Sequence, residues 1–300
     1  MLNGIGFIVI LGCVFGSFLL SGGKLAVVLE ALPHELMAIM GAAIGSFIVA
    51  NSLGTIKKAM GGLLRAFKGE RWKSSDYRDL LTMMFGLLTT FKKGGATGIE
   101  PHLDTPSESK LFSPYPRLLK DHHLIEFICD YLRMMTVNFE DPNQLESAMD
   151  ADIDKHHHEE LAPQHALQIM TDGLPAIGIV AAVLGVIKAM GALDQSPKLL
   201  GGFIGAALVG TFAGIFLSYG VLSPFALKIK MTREKRCRPY IIVKQTLLAF
   251  MNGAMPQIAV EHGRKMIASS ERPSIDVVEN ETIAGPKAVV NEAEPKAARA

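Results

Sequence analysis

The sequence predicts an all-α membrane protein with four transmembrane helices and a helical cytoplasmic insert between helices 2 and 3. Three observations lead there. Of 300 residues, 49% are hydrophobic and mean hydropathy is +0.28, too apolar for an ordinary water-soluble two-domain chain. Residues 1–23, 36–56 and 199–227 contain no Asp, Glu, Lys or Arg, and about 20 apolar residues suffice for a helix to cross a bilayer. The polar stretches repeat apolar residues every three or four positions, and no strand-like alternation stands out.

The first run, 1–23, lacks a basic leader and is followed closely by a second apolar segment, so it reads as a retained helix rather than a cleaved signal. The second span is 36–56. Together they form a membrane segment, 1–56. The third span is Gly173–Ile187, which reaches spanning length if Lys188 lies near the headgroups and Ala189–Leu193 completes the helix. With the fourth span it forms the segment 173–227. Only Lys24 is basic between the first two spans. Lys57, Lys58, Arg65, Lys68, Arg71 and Lys73 follow the second, and Lys228, Lys230, Arg233, Lys235, Arg236 and Arg238 follow the fourth. The excess of positive charge on cytoplasmic loops puts both clusters, and both termini, in the cytoplasm.

The insert, 57–172, is patterned as helix. Leu80, Met83, Met84, Leu87, Leu88 and Phe91 share one face, with Ser74, Ser75 and Asp76 as caps and Gly94–Gly95 as the stop. A second helix spans about 116–138, with Leu124, Phe127, Ile128, Tyr131, Leu132 and Met135 along its stripe. Pro101, Pro106, Pro114 and Pro116 imply a loop between the two. A polar helical pattern from Pro142 to Gln168 is interrupted near Pro163. Segment 228–269 is basic and amphipathic, broken or kinked at Pro256. Residues 270–300, rich in Ala, Glu, Pro, Lys and Val, read as disordered.

Thirty basic and 29 acidic residues leave a net charge of +1, which gives no electrostatic case for nucleic acid or an acidic substrate. Cys13, Cys129 and Cys237 are far apart and form no disulfide framework. His122-His123 and His156-His157-His158 point about 100° apart on a helix and do not make a tetrahedral metal site. With no phosphate loop, dinucleotide fingerprint or nucleophile elbow, neither an enzyme nor a cofactor is expected.

A cation crossing lipid needs polar or ionisable groups at depth. The expected spans contain no acid, since Glu30 and Glu35 are placed in the outer link or at its border. The titrating carboxylate of an ion path would then belong to another polypeptide. Gly201/Gly205 and Gly210/Gly214 have the spacing that lets helices approach closely, which by itself points first to dimerisation or to packing within one chain. Thr211 is read as the only hydroxyl deep in the third or fourth span, suited to its own backbone or to an ion. Pro175 and Pro224 bracket the hairpin and can kink or loosen it.

Leu174-Pro175-Ala176-Ile177-Gly178, Val209-Gly210-Thr211-Phe212-Ala213-Gly214 and Tyr219-Gly220-Val221-Leu222-Ser223-Pro224 resemble the MotA family of flagellar motor stator proteins. So do Tyr77-Arg78-Asp79-Leu80-Leu81, Ser113-Pro114-Tyr115-Pro116-Arg117 and Asp130-Tyr131-Leu132-Arg133. The resemblance implies a ring, taken as a pentamer, around two MotB-like chains whose single span carries the proton-binding Asp. It implies a contact with the rotor protein FliG through Lys92, with Lys93 adjoining, and Glu100. Lysine replaces the arginine of the best-known relatives and keeps the charge without the bidentate fork. Pro175 and Pro224 match the hinge prolines, and Gly178 and Thr211 lie in the motifs of the pathway wall. Ala182 stands where sodium-driven relatives carry threonine, so protons are the expected ion. An ExbB- or TolQ-like energy transducer and a non-conducting membrane scaffold are the alternatives.

Overall fold

The computed structural model describes residues 2–66, 72–137 and 141–284, and every regular element among them is helical. Lys68, Arg71, the side chain of Arg65 and the tail beyond residue 284 lie outside the described residues. In chain order the helices are α1 (Leu2–Leu20), α2 (Leu25–Ala50), α3 (Leu53–Ala66), α4 (Ser74–Asp104), α5 (Pro116–Leu119), α6 (His122–Thr136), α7 (Pro142–Met190) and α8 (Pro197–Ile215). A π-helical segment (Phe216–Leu222), α9 (Ser223–Met251), α10 (Pro256–Lys265) and α11 (Ile275–Ala284) follow. The chain divides into two compact units, Met1–Gly69 with His158–Arg233 and Glu70–His157 with Glu234–Ala300, so α7 and α9 contribute to both.

The helices α2 and α7 and the run Pro197–Met251 are long and apolar enough to cross a membrane, while α1 is a shorter apolar helix. The chain reverses between α1 and α2 within Ser21–Lys24, where Gly22 adopts φ +84°, a left-handed conformation that glycine tolerates best. The helix expected as the second span therefore runs from Leu25 to Ala50 rather than over 36–56, and Glu30 and Glu35 lie inside it rather than in a link. Charge counting ends a span at a carboxylate. Helical geometry instead puts Glu35 on the face that continues as Ile39, Ala43 and Phe47, all buried. Asn51 then donates to the Phe47 carbonyl at 2.8 Å, and the Ser52 hydroxyl accepts from the Thr55 amide at 3.2 Å, closing α2 and opening α3.

Pro163 does not interrupt α7, contrary to expectation, and both it and Pro175 are inside the helix. The helix stops at Met190, short of Leu193. Ser196 caps α8 by accepting from the Leu199 amide at 3.4 Å, with Pro197 at the first position where its missing N–H is harmless.

The second unit has a conventional core. Of the expected stripe, Leu80, Met83, Met84, Leu87 and Leu88 are fully buried and Phe91 partly so, packed with Leu124, Ile128 and Leu132 of α6, Leu145 and Met149 of α7, and Ile242, Val243 and Leu247 of α9. Lys73 is the N-cap of α4; Asp76 reaches back to accept from its amide at 2.8 Å and pairs with Arg117 at 2.9 Å. Tyr131 donates to the Ala148 carbonyl at 3.0 Å, and burial beside Asp152 pushes its phenol up to about 12. Burial likewise pushes the Cys129 thiol up to about 11, which leaves it unreactive. Burial would pull Lys244 down, but Asp150 at 2.7 Å and Glu146 at 3.4 Å together raise it above its ordinary value.

Three expectations here need correction. The helix over 116–138 is two helices, α5 and α6, parted at Lys120–Asp121. The loop expected after Gly94–Gly95 is helical as far as Asp104. Gly95 does break the helix, at φ +62° and ψ −154°, but the chain resumes because Ile99 and Leu103 are buried and Arg133 donates to the Leu103 carbonyl at 2.8 Å. Part of the expected disordered tail is α11, held by Val278, which is buried in the core.

Candidate functional site: the α7–α8 crossing and the α4 kink

The α7–α8 crossing is built on missing side chains. A Cβ on Gly214 would sit 2.8 Å from the Gly178 Cα and 2.8 Å from the Leu174 carbonyl oxygen. One on Gly178 would sit 3.0 Å from the Gly214 Cα. Further along, a Cβ on Gly185 would meet that of Ala207 at 2.7 Å. These helices touch backbone to backbone, as small residues permit in an apolar medium. Gly210 and Gly214 thus pack within one chain, whereas Gly201 has open space around it and Gly205 only an ordinary contact with Val27.

The prolines are compensated by two devices. Pro175 cannot donate to the carbonyl four residues earlier, that of Thr171. The Ser218 hydroxyl, fully buried on the π-helical segment, donates to it at 2.8 Å. Pro224 removes the donor for Gly220, and the turn before it widens to π-helix, with the Ser223 amide bonding to the Ser218 carbonyl five residues back. The two hinge candidates are therefore linked through one residue. Sequence reasoning passed over Ser218, so Thr211 is not the only deep hydroxyl. The signal was available, because a freed carbonyl before an intrahelical proline calls for a donor.

Thr211, half-buried in α8 beside Gly210, makes no hydrogen bond with its hydroxyl among the described residues. It does not bond back to its own helix. Ala182 is half-buried on α7, one residue beyond Ala181, whose Cβ lies 3.4 Å from the Cβ position of Gly210. The same Gly210 Cβ position is 2.6 Å from a carboxylate oxygen of Glu35, so a glycine is what leaves room for that acid. The expectation that the apolar spans hold no acid, with Glu35 in the outer link or at its border, is thereby corrected: Glu35 is on α2 and lies in the α2–α8 contact. Lys188 sits over the Phe203 ring, 4.5 Å from its centroid. The α7 face carrying Ile179, Val180, Val183 and Leu184 is exposed.

In the second unit, Lys92 and Lys93 precede the Gly95 kink and Glu100 follows it, and all three are exposed. The Lys92 ammonium points to the Met255 sulfur at the start of α10, a weak acceptor. Arg133 anchors the end of the segment that bears Glu100. Among the described residues no group of His, Cys, Asp and Glu forms a metal site.

The motility protein A N-terminal model matches residues 4–95, and the MotA/TolQ/ExbB proton channel family model matches 120–239. Motility protein A of Escherichia coli is 41% identical over 91% of this chain and 92% of its own length. This chain belongs to the motility protein A family of flagellar stator subunits. Motility protein A of Salmonella typhimurium is 40% identical over the same shares of the two chains. The solved flagellar MotAB stator complex from Bacillus subtilis shares the fold, with a TM-score of 0.67 and 19% identity over 91% of this chain and 98% of that one. With the family comes an inner-membrane location.

Proposed function

We propose that the chain forms the outer ring of a proton-driven stator, a pentamer around two MotB-like chains, and converts proton flow into torque on FliG. In this reading α1, α2, the end of α7 and the run from α8 into the π-helical segment are four spans, both termini are cytoplasmic, and 57–172 is the torque-bearing insert. Thr211 carries the reading: a half-buried hydroxyl with no partner among the described residues, beside the glycine crossing, is available to a group supplied by another chain. A MotB-like Asp meets that need, and the solved Bacillus subtilis complex, which pairs MotA with MotB, supports such a partner. Ala182 offers no oxygen to replace the hydration of sodium, which favours protons.

Protonation of the partner Asp shifts its contact with the wall, the hinge turns at Pro175 and Pro224 flex, and Lys92 or Lys93 with Glu100 push on rotor charges. One proton supplies about 2.3 kcal/mol per 100 mV, so torque needs repeated cycles. The N-terminal motility model over 4–95 favours this over an ExbB- or TolQ-like transducer. Coexpression with a MotB-like chain in a strain lacking its own stator tests it: swimming and proton-dependent growth inhibition are expected, and Thr211→Val is expected to abolish both while the complex still assembles. No proton leak from the coexpressed pair would leave a scaffold.

A further inference from the structure

α1 meets the rest of its unit through ring contacts, Phe7 on Phe225 at 5.2 Å and Phe15 against Phe212 at 6.0 Å and Phe216 at 5.8 Å. On either side of these contacts the seam opens into a groove. One, of about 850 Å³, is walled by Phe15, Phe18, Val28, Leu208 and Phe212 and has Lys24 as its single charged residue. The other, of about 310 Å³, is walled by Phe7, Ile10, Phe225 and Leu227 and has Lys228 as its single charged residue. Lys24 precedes α2, just beyond the end of α1, whereas the smaller groove lies by Gly6 and Phe7 near its start, so the two lysines mark opposite ends of the helix. Neither ammonium has an ion-pair partner among the described residues, and Lys24 is the only Lys or Arg between residues 1 and 56.

An apolar trough of small-molecule size with one unpaired cation at its mouth complements an amphiphile with a long apolar body and a negative head. We propose that the α1 seam is a phospholipid site, with an acyl chain in the larger groove and the headgroup phosphate on Lys24, repeated on a smaller scale at Lys228. The Ser17 and Ser21 hydroxyls at the Lys24 end already donate to backbone carbonyls and leave their lone pairs for the headgroup's hydroxyls. The site rests on α1 and α2 spanning the membrane. It makes α1 a helix attached partly through lipid.

The full chain reconstituted in phosphatidylcholine vesicles, with spin-labelled phosphatidylglycerol or phosphatidylcholine as probe, tests this by the immobilised lipid fraction. Phosphatidylglycerol is expected to be preferred about fivefold, as one lysine at a membrane surface allows. Lys24→Gln should remove most of the preference, and Gly205→Leu, placed in the larger groove, should reduce immobilised chains of both lipids. Flotation with the vesicles separates the two readings: a chain that fails to float refutes the spanning reading and the site with it. A chain that floats yet holds both lipids alike, unaffected by Lys24→Gln, overturns the site alone. Disulfide capture of a second copy through Leu208→Cys in a Cys13→Ser background would also overturn it, by naming protein as the occupant.

Discussion

The two units solve the packing problem by opposite means. The Leu/Met core around α4 and α6 fills space with large side chains, and what drives it is removal of apolar surface from water. The α7–α8 crossing removes side chains, because lipid is as apolar as leucine and cohesion must come from close backbone approach. Opposite kinds of substitution should therefore do the most damage in the two places. Enlarging a residue is ruinous at the crossing; shrinking one is costly in the core.

The largest effect is expected from Gly214→Val, whose Cβ has the Gly178 Cα and the Leu174 carbonyl, both backbone, 2.8 Å away. Motility should be abolished and membrane levels of the chain should fall, whereas Gly201→Ala, with open space around it, should swim normally. Leu88→Ala in the core should cost about 2–5 kcal/mol, read as earlier thermal unfolding or faster proteolysis of the second unit. An unchanged melting profile would show that the buried stripe is not what holds that unit together.

Ser218→Ala removes the donor that answers Pro175 and leaves the Thr171 carbonyl without it, at a cost of about 1–3 kcal/mol. Ser218→Thr keeps the hydroxyl and should recover most of the lost swimming speed if that bond is the cause. Smaller still is the effect of pH on the second unit. The Tyr131 phenol is raised from 10.0 to about 12, so its contribution to stability is complete below pH 10 and is lost as pH climbs toward 12. Tyrosinate absorbance should show a step near the upper end of that range which Tyr131→Phe removes. In the acid direction, the hydrogen bond from Arg264 lowers the Glu261 carboxyl despite its burial. Its contribution, present above the ordinary carboxylate range, fades only as pH falls through the depressed value. Glu261→Gln should flatten that limb of an acid-unfolding curve.

Legibility in the sequence followed the physics of each unit. The α4 stripe from Leu80 to Leu88 is periodic, and periodicity survives translation into burial because each residue packs by its own bulk. Ile99 and Leu103 were also spaced as a helical face, yet four prolines and two glycines drew attention to breaks. Only Gly95 terminates anything in that stretch of α4; Pro101 is carried within the resumed helix by its buried neighbours. Glu35 was misplaced because a span was equated with an absence of charge, although its register with Ile39, Ala43 and Phe47 was already visible.

The sequence by itself determined the helical class, the apolar segments, and the glycine and proline motifs that mark the family. Those are properties of single segments, set by hydropathy, period and backbone chemistry. Only the tertiary structure decided that Ser218 answers Pro175, that Glu35 rests in the space Gly210 vacates, and that Gly178 and Gly214 face each other. Each of these joins residues far apart in the chain, and no local rule fixes which distant donor or hollow a freed carbonyl or a carboxylate will meet.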